Sequence, residues 1–274
     1  MFIKSIEKAL RYTKPFITGK VLYENREILN DINTLIVLNK NGDILTTARV
    51  ADAFLAADDI NEVFTEILNE MKLSNKKGIT KIERKYDVTP KTIIKLHNIL
   101  IDVAENPGKL TIIKHSYLDL AIIKLENTEN VFVNNFPVFK TGIKKIGTSI
   151  CNLGYAFPEY DAFKYNIEKE KINITNKTMN FPIFPSSGII TRNIADQNKE
   201  ITMFETSVPA LPGQNGGPVI DIDGNILGIL IGTKRIATNF TNDMLLNLDL
   251  GLAVDSNAIV NFLEKNQIKY NKIN

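Results

Sequence analysis

The sequence predicts an all-β protein, a barrel or a sandwich built from many short strands. Short segments rich in Ile, Leu, Val and Thr recur along the chain, at residues 34–38, 43–47, 110–113, 120–125 and 226–231. Turn dipeptides separate some of them, since Asn41-Gly42 and Asp223-Gly224 each lie between two apolar segments. Asn-Gly and Asp-Gly in this position are strong hairpin signals. Frequent turns between short strands are typical of barrels and sandwiches.

Two segments in the first third of the chain have the apolar spacing of a helix. Residues 2–13 place apolar and basic side chains on opposite faces. Residues 60–72 carry apolar residues at helical spacing. There, Asp59 with Glu62 three residues later has the pattern of a capping box. We therefore predict an N-terminal helix and a second helix that begins near residue 60.

A closing helix is predicted at residues 256–265, with Ser256 or Asn257 as its N-cap. Its apolar residues Ile259, Val260 and Leu263 share one face, which we expect to pack on the strands.

The composition excludes several classes of protein. Hydrophobic residues make up 44% of the chain, but no apolar run reaches the ~18–20 residues of a membrane span. The net charge of +2 is too close to neutral to favour nucleic acid as a partner. The single Cys151 rules out an internal disulfide, and the N-terminus lacks the apolar run of a secretory signal. These features predict a cytoplasmic protein.

No cofactor or metal is expected. The glycines at 213, 216 and 217 are followed by Pro218 and a strand, whereas a phosphate-binding glycine loop leads into a helix. Cys, His, Asp and Glu do not cluster at the spacing of metal ligands.

Three segments resemble a known family. Residues 44–50 read I-L-T-T-A-R-V, residues 119–124 read D-L-A-I-I-K, and residues 213–219 read G-Q-N-G-G-P-V. In this order they resemble the base strand, the acid strand and the nucleophile loop of chymotrypsin-like serine proteases. Further segments resemble the protease domain of the HtrA type: 149–158, 187–191, 223–229 and 250–257. The resemblance covers about residues 34–50 and 109–265.

The resemblance implies the architecture: two antiparallel six-stranded β-barrels that meet at a cleft. We divide the chain accordingly into an N-terminal helical or extended arm at 1–29, a first barrel at 30–127, and a second barrel with the closing helix at 128–274. A helical insertion at about 52–77 interrupts the first barrel. The family has a two-stranded hairpin where residues 89–105 lie, so we favour strands over a helix for that ambiguous segment.

The resemblance also identifies the catalytic positions, and two of the three are changed. Asp119 retains the acid, Arg49 stands in place of the base, and Asn215 stands in place of the nucleophile. A guanidinium is protonated at working pH and has no acceptor lone pair, and a carboxamide has no oxygen that a base could activate. We expect Arg49 to form an ion pair with Asp119, or alternatively to be a solvated residue.

Binding groups can survive these two changes. The backbone N–H groups of Gly213 and Asn215 are expected to keep the geometry of an oxyanion hole, although the glycines can equally persist for the turn alone. The segment after the nucleophile hairpin is expected to bind an extended peptide, through residues Gly228, Ile229, Leu230 and Ile231. The alternative is that these isoleucines fill the core of the second barrel.

Three hypotheses about function follow. The first is a catalytically inactive serine protease homologue, a pseudoprotease that binds a peptide or a partner protein in or near the cleft. The second is an active serine endopeptidase or hydrolase with an unorthodox site. A rearranged triad that used His97 or His115 would still lack a nucleophile near Gly216, and we expect both to be ordinary histidines. The third is a non-catalytic scaffold subunit of a complex.

Overall fold

The computed structural model describes residues 1–24, 26–106, 108–126, 128–156, 163–166, 169, 171–174, 181–241 and 244–274. The first half of the chain contains three helices and eight strands within that part. These elements are α1 (Ile3–Leu10), β1 (Thr13–Leu22), β2 (Ile28–Val37), β3 (Ile44–Thr46), α2 (Ala48–Lys72), α3 (Lys76–Lys85), β4 (Ile93–Leu100), β5 (Ala104–Asn106), β6 (Lys109–Lys114), β7 (Ala121–Glu126) and β8 (Glu129–Val131).

The second half is almost entirely β-structure over its described residues. Its elements are β9 (Val138–Lys140), β10 (Ser149–Asn152), β11 (Phe163–Asn166), β12 (Lys171–Ile174), β13 (Ser186–Ala195), β14 (Ile201–Thr206), β15 (Pro218–Ile220), β16 (Ile226–Thr241), β17 (Met244–Asp255), α4 (Ser256–Lys265) and β18 (Asn271–Ile273).

The first sheet is a curled half-barrel of six strands. Its order is β4-β1-β2-β3-β7-β6, and the pairings between its neighbours are antiparallel. The β2–β3 hairpin turns at the predicted dipeptide Asn41-Gly42, where Gly42 has a φ of +79°. Strands β3 and β7 lie next to each other, which brings the segment after β3 close to the segment before β7. These two segments carry Arg49 and Asp119, two of the three positions that the resemblance identifies as catalytic.

The second sheet contains a closed barrel of six strands. The ring runs β15-β10-β13-β14-β17-β16, and pairing of β16 with β15 closes it. Strand β9 adds to β16, and β18 adds to β9, both in parallel. The predicted trypsin-like double barrel is therefore confirmed, with one barrel closed and the other an open, curled sheet.

Of the four helices among the described residues, α1, α2 and α4 lie where the sequence predicts helices, although not with every boundary, whereas α3 has no predicted counterpart. The closing helix α4 spans the predicted residues and buries Ile259, Val260 and Leu263. Its N-cap is Asp255, whose carboxylate accepts from Asn257 N, so neither predicted N-cap residue has that role. Residues 89–105 contain β4 and the start of β5, in line with the preference for strands.

The helical insertion is longer than predicted. Helix α2 begins at Ala48, where the hydroxyl of Thr47 accepts a hydrogen bond from Val50 N. Asp59 is therefore inside a helix and does not cap one. The intervening residues 48–57 are rich in alanine, the best helix former, and contain no glycine or proline. Together α2 and α3 place almost all of residues 48–85 in helices.

Strand β1 differs from the predicted arm at residues 1–29. It pairs with β2 from Thr13 opposite Ile36 to Val21 opposite Ile28, and it pairs with β4 on its other side. Residues 13–22 are thus part of the first sheet. The alternation of Lys14, Lys20 and a proline with apolar residues there gives a weak strand signal, which explains why pattern alone misses it.

One hydrophobic core joins the two sheets and the closing helix. It includes Leu35 and Ile122 from the first sheet, Ile229 and Val254 from the second, and Leu263 from α4, all with no exposed surface. Such continuous packing holds the two sheets in a fixed relation at their junction. No helix among the described residues is long and apolar enough to cross a membrane.

Candidate functional site

Asp119 caps the first turn of helix α2 and pairs with a side chain of that turn. Its Oδ1 accepts a hydrogen bond from the backbone N–H of Arg49 at 3.0 Å, and its Oδ2 lies 2.6 Å from Arg49 Nε. A carboxylate at a helix N-terminus satisfies a free N–H and interacts favourably with the helix dipole. The predicted ion pair between Arg49 and Asp119 is present.

Arg49 has a second partner, on the other side of the cleft. Its Nη2 donates a hydrogen bond to the carbonyl oxygen of Ile231 on β16. The Arg49 side chain is 66% exposed, and that of Asp119 is 19% exposed. Arg49 therefore links the acid position in the first sheet to the edge of the closed barrel. Sequence reasoning missed Ile231 as its partner, because a backbone carbonyl leaves no signal in the sequence.

The segment Gly213–Gly217 forms a tight loop that Thr34 fastens to the first sheet. Thr34 N donates to Asn215 O at 3.0 Å, and Thr34 Oγ1 donates to Gly213 O at 2.7 Å. On the other side, Gly216 N donates to Leu230 O at 2.8 Å. The loop is thus held between the two sheets, at their junction.

Two glycines in this loop are required by its shape. Gly213 and Gly216 have φ angles of +95° and +82°. A Cβ on Gly213 would lie 2.0 Å from Tyr155 O, and one on Gly216 would lie 2.2 Å from Thr34 O. Both the left-handed backbone and the close approach exclude a side chain. The glycine pattern therefore follows from the turn, whether or not the loop has a chemical role.

Gln214 stabilises the loop from inside, and sequence reasoning gave it no role. It is fully buried. Its Oε1 accepts from Leu211 N at 3.0 Å, and its Nε2 donates to Phe184 O at 2.8 Å. A neutral amide satisfies one donor and one acceptor there without burying a charge.

The loop leaves donor groups unused. Within the described part of the chain, the backbone N–H groups of Gly213 and Asn215 make no hydrogen bond to a protein acceptor. The Asn215 side chain is half-buried, and its carboxamide also makes no hydrogen bond to a described residue. Two free N–H groups two residues apart in a glycine turn can bind a carbonyl or carboxylate oxygen.

The predicted peptide-binding segment requires a correction. Ile229 and Leu230 have no exposed surface, and Gly228 pairs with both β15 and β17. Leu230 N donates to Gly217 O at 2.9 Å. These residues fill the core and the barrel wall, because β16 has strands on both sides here. Of the predicted segment, only the Ile231 backbone lies at the cleft.

An open depression of about 600 Å³ lies beside Arg49. Asp119, Ile231 and Thr233 also line it, and Tyr117 forms part of its wall with a 67% exposed side chain. Its position between the two sheets matches the cleft that the family resemblance predicts.

Neither histidine is in the position of a base. His115 lines the depression, but its Nδ1 accepts from the backbone N–H of Leu118 at 3.2 Å. Burial lowers its pKa, and the charge of Lys265 adds to the effect. His97 is on β4, which β1 and β2 separate from β3, and burial lowers its pKa.

Two solved structures that are similar to this chain are described as proteases. The HtrA-type protease AlgW with tripeptide is 15% identical, with a TM-score of 0.52, and the match covers 97% of this chain. This chain spans 63% of the AlgW chain. The active form of the Rv3671c protease from M. tuberculosis is 14% identical, with a TM-score of 0.49 and coverage of 97% of this chain and 86% of that one.

One of the two sequence comparisons identifies the family. No curated protein matches the chain. The family model of the trypsin-like peptidase domain matches residues 33–229, which is more than half of the chain and includes Arg49, Asp119 and Asn215. The chain therefore belongs to the trypsin-like peptidase domain family.

Proposed function

We propose that this protein is a catalytically inactive trypsin-like serine protease homologue that binds a peptide, or an extended segment of a partner protein, in the cleft. The observation that carries the proposal is the position of Arg49. Its guanidinium bonds both to Asp119 and to the carbonyl of Ile231, which supports a held cation in place of a base.

Catalysis is opposed at two positions. Arg49 holds Asp119 with its own backbone N–H and Nε, so the acid has no imidazole to orient. Asn215 offers no hydroxyl to activate. Loss of one triad member typically costs ~10⁴–10⁶ in kcat, and further losses add little because the members act as a unit. A residual ~10³–10⁴-fold enhancement over water through the oxyanion hole would not be visible in ordinary assays.

Binding does not depend on the lost groups. The free N–H groups of Gly213 and Asn215 are donors for a peptide carbonyl or for a terminal carboxylate. The depression beside Arg49 has room for several side chains of an extended peptide, and β16 forms its wall at Ile231–Thr233. Extended peptides bind to such strand edges through main-chain hydrogen bonds, while pockets select their side chains.

The proposal is tested with the pure protein in two assays. A fluorophosphonate probe and fluorescent casein report on catalysis, and panning of a random peptide display library reports on binding. We expect neither labelling nor turnover, and we expect enriched peptides whose binding is lost when Gly232→Glu fills the depression. The matched control is Gly147→Glu, at a glycine where an added Cβ would have no atom within 4 Å. Labelling of a serine or threonine, or turnover above that of a heat-inactivated sample, would establish an active hydrolase.

The scaffold hypothesis has one observation in its favour. The helical insertion exposes three large apolar side chains: Leu55 is 52% exposed, Val63 is 49% exposed and Leu73 is 91% exposed. A contact surface on this insertion would not need the cleft. If a partner is captured equally by the wild-type and Gly232→Glu proteins but not by a Leu55→Ser/Leu73→Ser variant, the insertion carries the contact and the cleft does not.

A further inference from the structure

We propose that the cleft selects peptides whose residue opposite Ile231 has no backbone N–H, which among the encoded amino acids means proline. This inference rests on the proposed peptide-binding function and adds a rule of specificity to it. The juxtaposition that carries it is the hydrogen bond from Arg49 Nη2 to the carbonyl oxygen of Ile231.

Ile231 lies on β16 just beyond the residues that bond to β15 and to the nucleophile loop. Its neighbour Leu230 bonds to the nucleophile loop through both its N–H and its carbonyl. On the other side, the β16–β17 ladder pairs Leu230 with Ala253 and Gly232 with Leu252, and it skips Ile231. The Ile231 carbonyl is therefore the acceptor that a peptide added along this edge would meet first.

Arg49 already uses that acceptor. Asp119 holds the Arg49 backbone and Nε, so the end of the side chain is directed at Ile231 from a fixed base. A carbonyl oxygen has a second lone pair that could accept another hydrogen bond. A peptide N–H that approached it would lie next to the guanidinium N–H groups, and two donors side by side repel each other. An unpaired N–H that loses water is costly, so an ordinary residue is penalised at this position.

Proline removes that penalty. It has no N–H, and its fixed φ favours an extended backbone before binding. The surroundings accept a ring, because Gly232 has no side chain and Leu118, Leu252 and Tyr117 line the same depression. The Arg49 charge is kept away from the ring by its two bonds, to Asp119 and to Ile231.

The test uses peptides enriched from the random display library. Each residue of one enriched peptide is replaced in turn by alanine, by N-methylalanine and by proline, and binding is measured by fluorescence polarisation. N-methylalanine carries a methyl group in place of the N–H of alanine, so it lacks the donor, as proline does. At one position we expect N-methylalanine and proline to bind about 5-fold or more tighter than alanine, the cost of one desolvated donor.

The variant Arg49→Met should reverse the preference between alanine and N-methylalanine. It keeps an unbranched apolar stem but removes the guanidinium and frees the Ile231 carbonyl, so alanine should bind more tightly than N-methylalanine at that position, by about 2- to 12-fold. Arg235→Met is the matched control, because Arg235 is an exposed arginine paired with Asp249 outside the cleft. This control should prefer N-methylalanine and proline over alanine to the same degree as the wild type does.

The possible outcomes distinguish a failure of the proline preference from a failure of the proposed peptide binding. If enriched peptides bind the cleft but lose affinity on N-methylation at every position of the wild-type complex, the rule is wrong and peptide binding stands. If no peptide is enriched, peptide binding fails and the rule fails with it. The wild-type comparison alone decides the rule if Arg49→Met does not fold.

Discussion

Arg49 and Ile231 are joined across the cleft by a hydrogen bond from the guanidinium to a backbone carbonyl. Arg49 is in the first turn of helix α2, which follows a strand of the first sheet, and Ile231 is on β16 of the closed barrel. A histidine at this position could not make the same contact, since its ring is shorter and carries fewer donors. The arginine at the position that the resemblance assigns to the base therefore forms a link between the two sheets.

Loss of this link should lower the stability of the fold by a small, measurable amount. Arg49→Ala removes two hydrogen bonds and leaves the largely buried Asp119 with a backbone partner only. We expect the free energy of unfolding to fall by about 1–2 kcal/mol. Arg235→Ala, which breaks an exposed pair, should cost less than about 0.5 kcal/mol. Urea denaturation of both variants measures the difference, and equal losses would show that Arg49 is a solvated residue.

A side chain added to the nucleophile loop should cost more stability than one added at an uncrowded glycine with a similar backbone conformation. Gly216→Ala forces a Cβ to within 2.2 Å of Thr34 O, at a φ of +82°. Gly142→Ala has nearly the same φ, +87°, and open space around it, so it measures the backbone cost alone. We expect about 1–2 kcal/mol for Gly142→Ala and a further ~1–3 kcal/mol for Gly216→Ala. Similar thermal unfolding of both variants would contradict the close packing of this loop on Thr34.

The charge network at Glu205 predicts a dependence of stability on pH. Glu205 is 2% exposed, and its carboxylate bonds to Arg192 and Lys234. Hydrogen bonding from Arg192 is the main cause that lowers its pKa. An unfolded glutamate ionises near pH ~4.3, so the ionised group contributes its full stability above that pH and loses it as the pH falls through the lower folded pKa.

Arg192→Met tests this directly. The variant should be less stable than the wild type near neutral pH, and the difference should shrink as the solution is acidified below the unfolded pKa. Urea unfolding across that range gives the comparison. A difference that is constant with pH would mean that Arg192 acts through its aliphatic stem and not through the Glu205 carboxylate.

Much of the site could be predicted because its signals are local. The D-L-A-I-I-K strand and the glycine loop are dictated by burial and by positive φ angles, which only certain residue types satisfy. Asp119 and Arg49 could be paired from sequence because a base strand and an acid strand are neighbours in this fold. The extent of the closing helix follows from its apolar spacing, although its N-cap is Asp255 and not one of the predicted residues.

The features that could not be predicted depend on contacts that do not require a particular type of residue. The Ile231 carbonyl receives Arg49 because the β16–β17 ladder skips that residue, and any side chain could be there. Ile229 and Leu230, which were expected to bind a peptide, are core residues instead, since an apolar strand has the same pattern whether one or both of its edges are paired. The extra turns of α2 were hidden because Asp59 and Glu62 resemble a helix start, although Thr47 caps the helix earlier.

The most direct test of the account follows one peptide from binding to recovery. A peptide enriched from the display library is titrated into the pure protein by calorimetry, and the same sample is analysed by mass spectrometry after prolonged incubation. We predict saturable binding, loss of that binding in the Gly232→Glu variant, and recovery of the peptide intact. Peptide fragments that appear with the wild-type protein and disappear with Asn215→Ala would contradict the central claim, because they would show that the cleft still cuts what it binds.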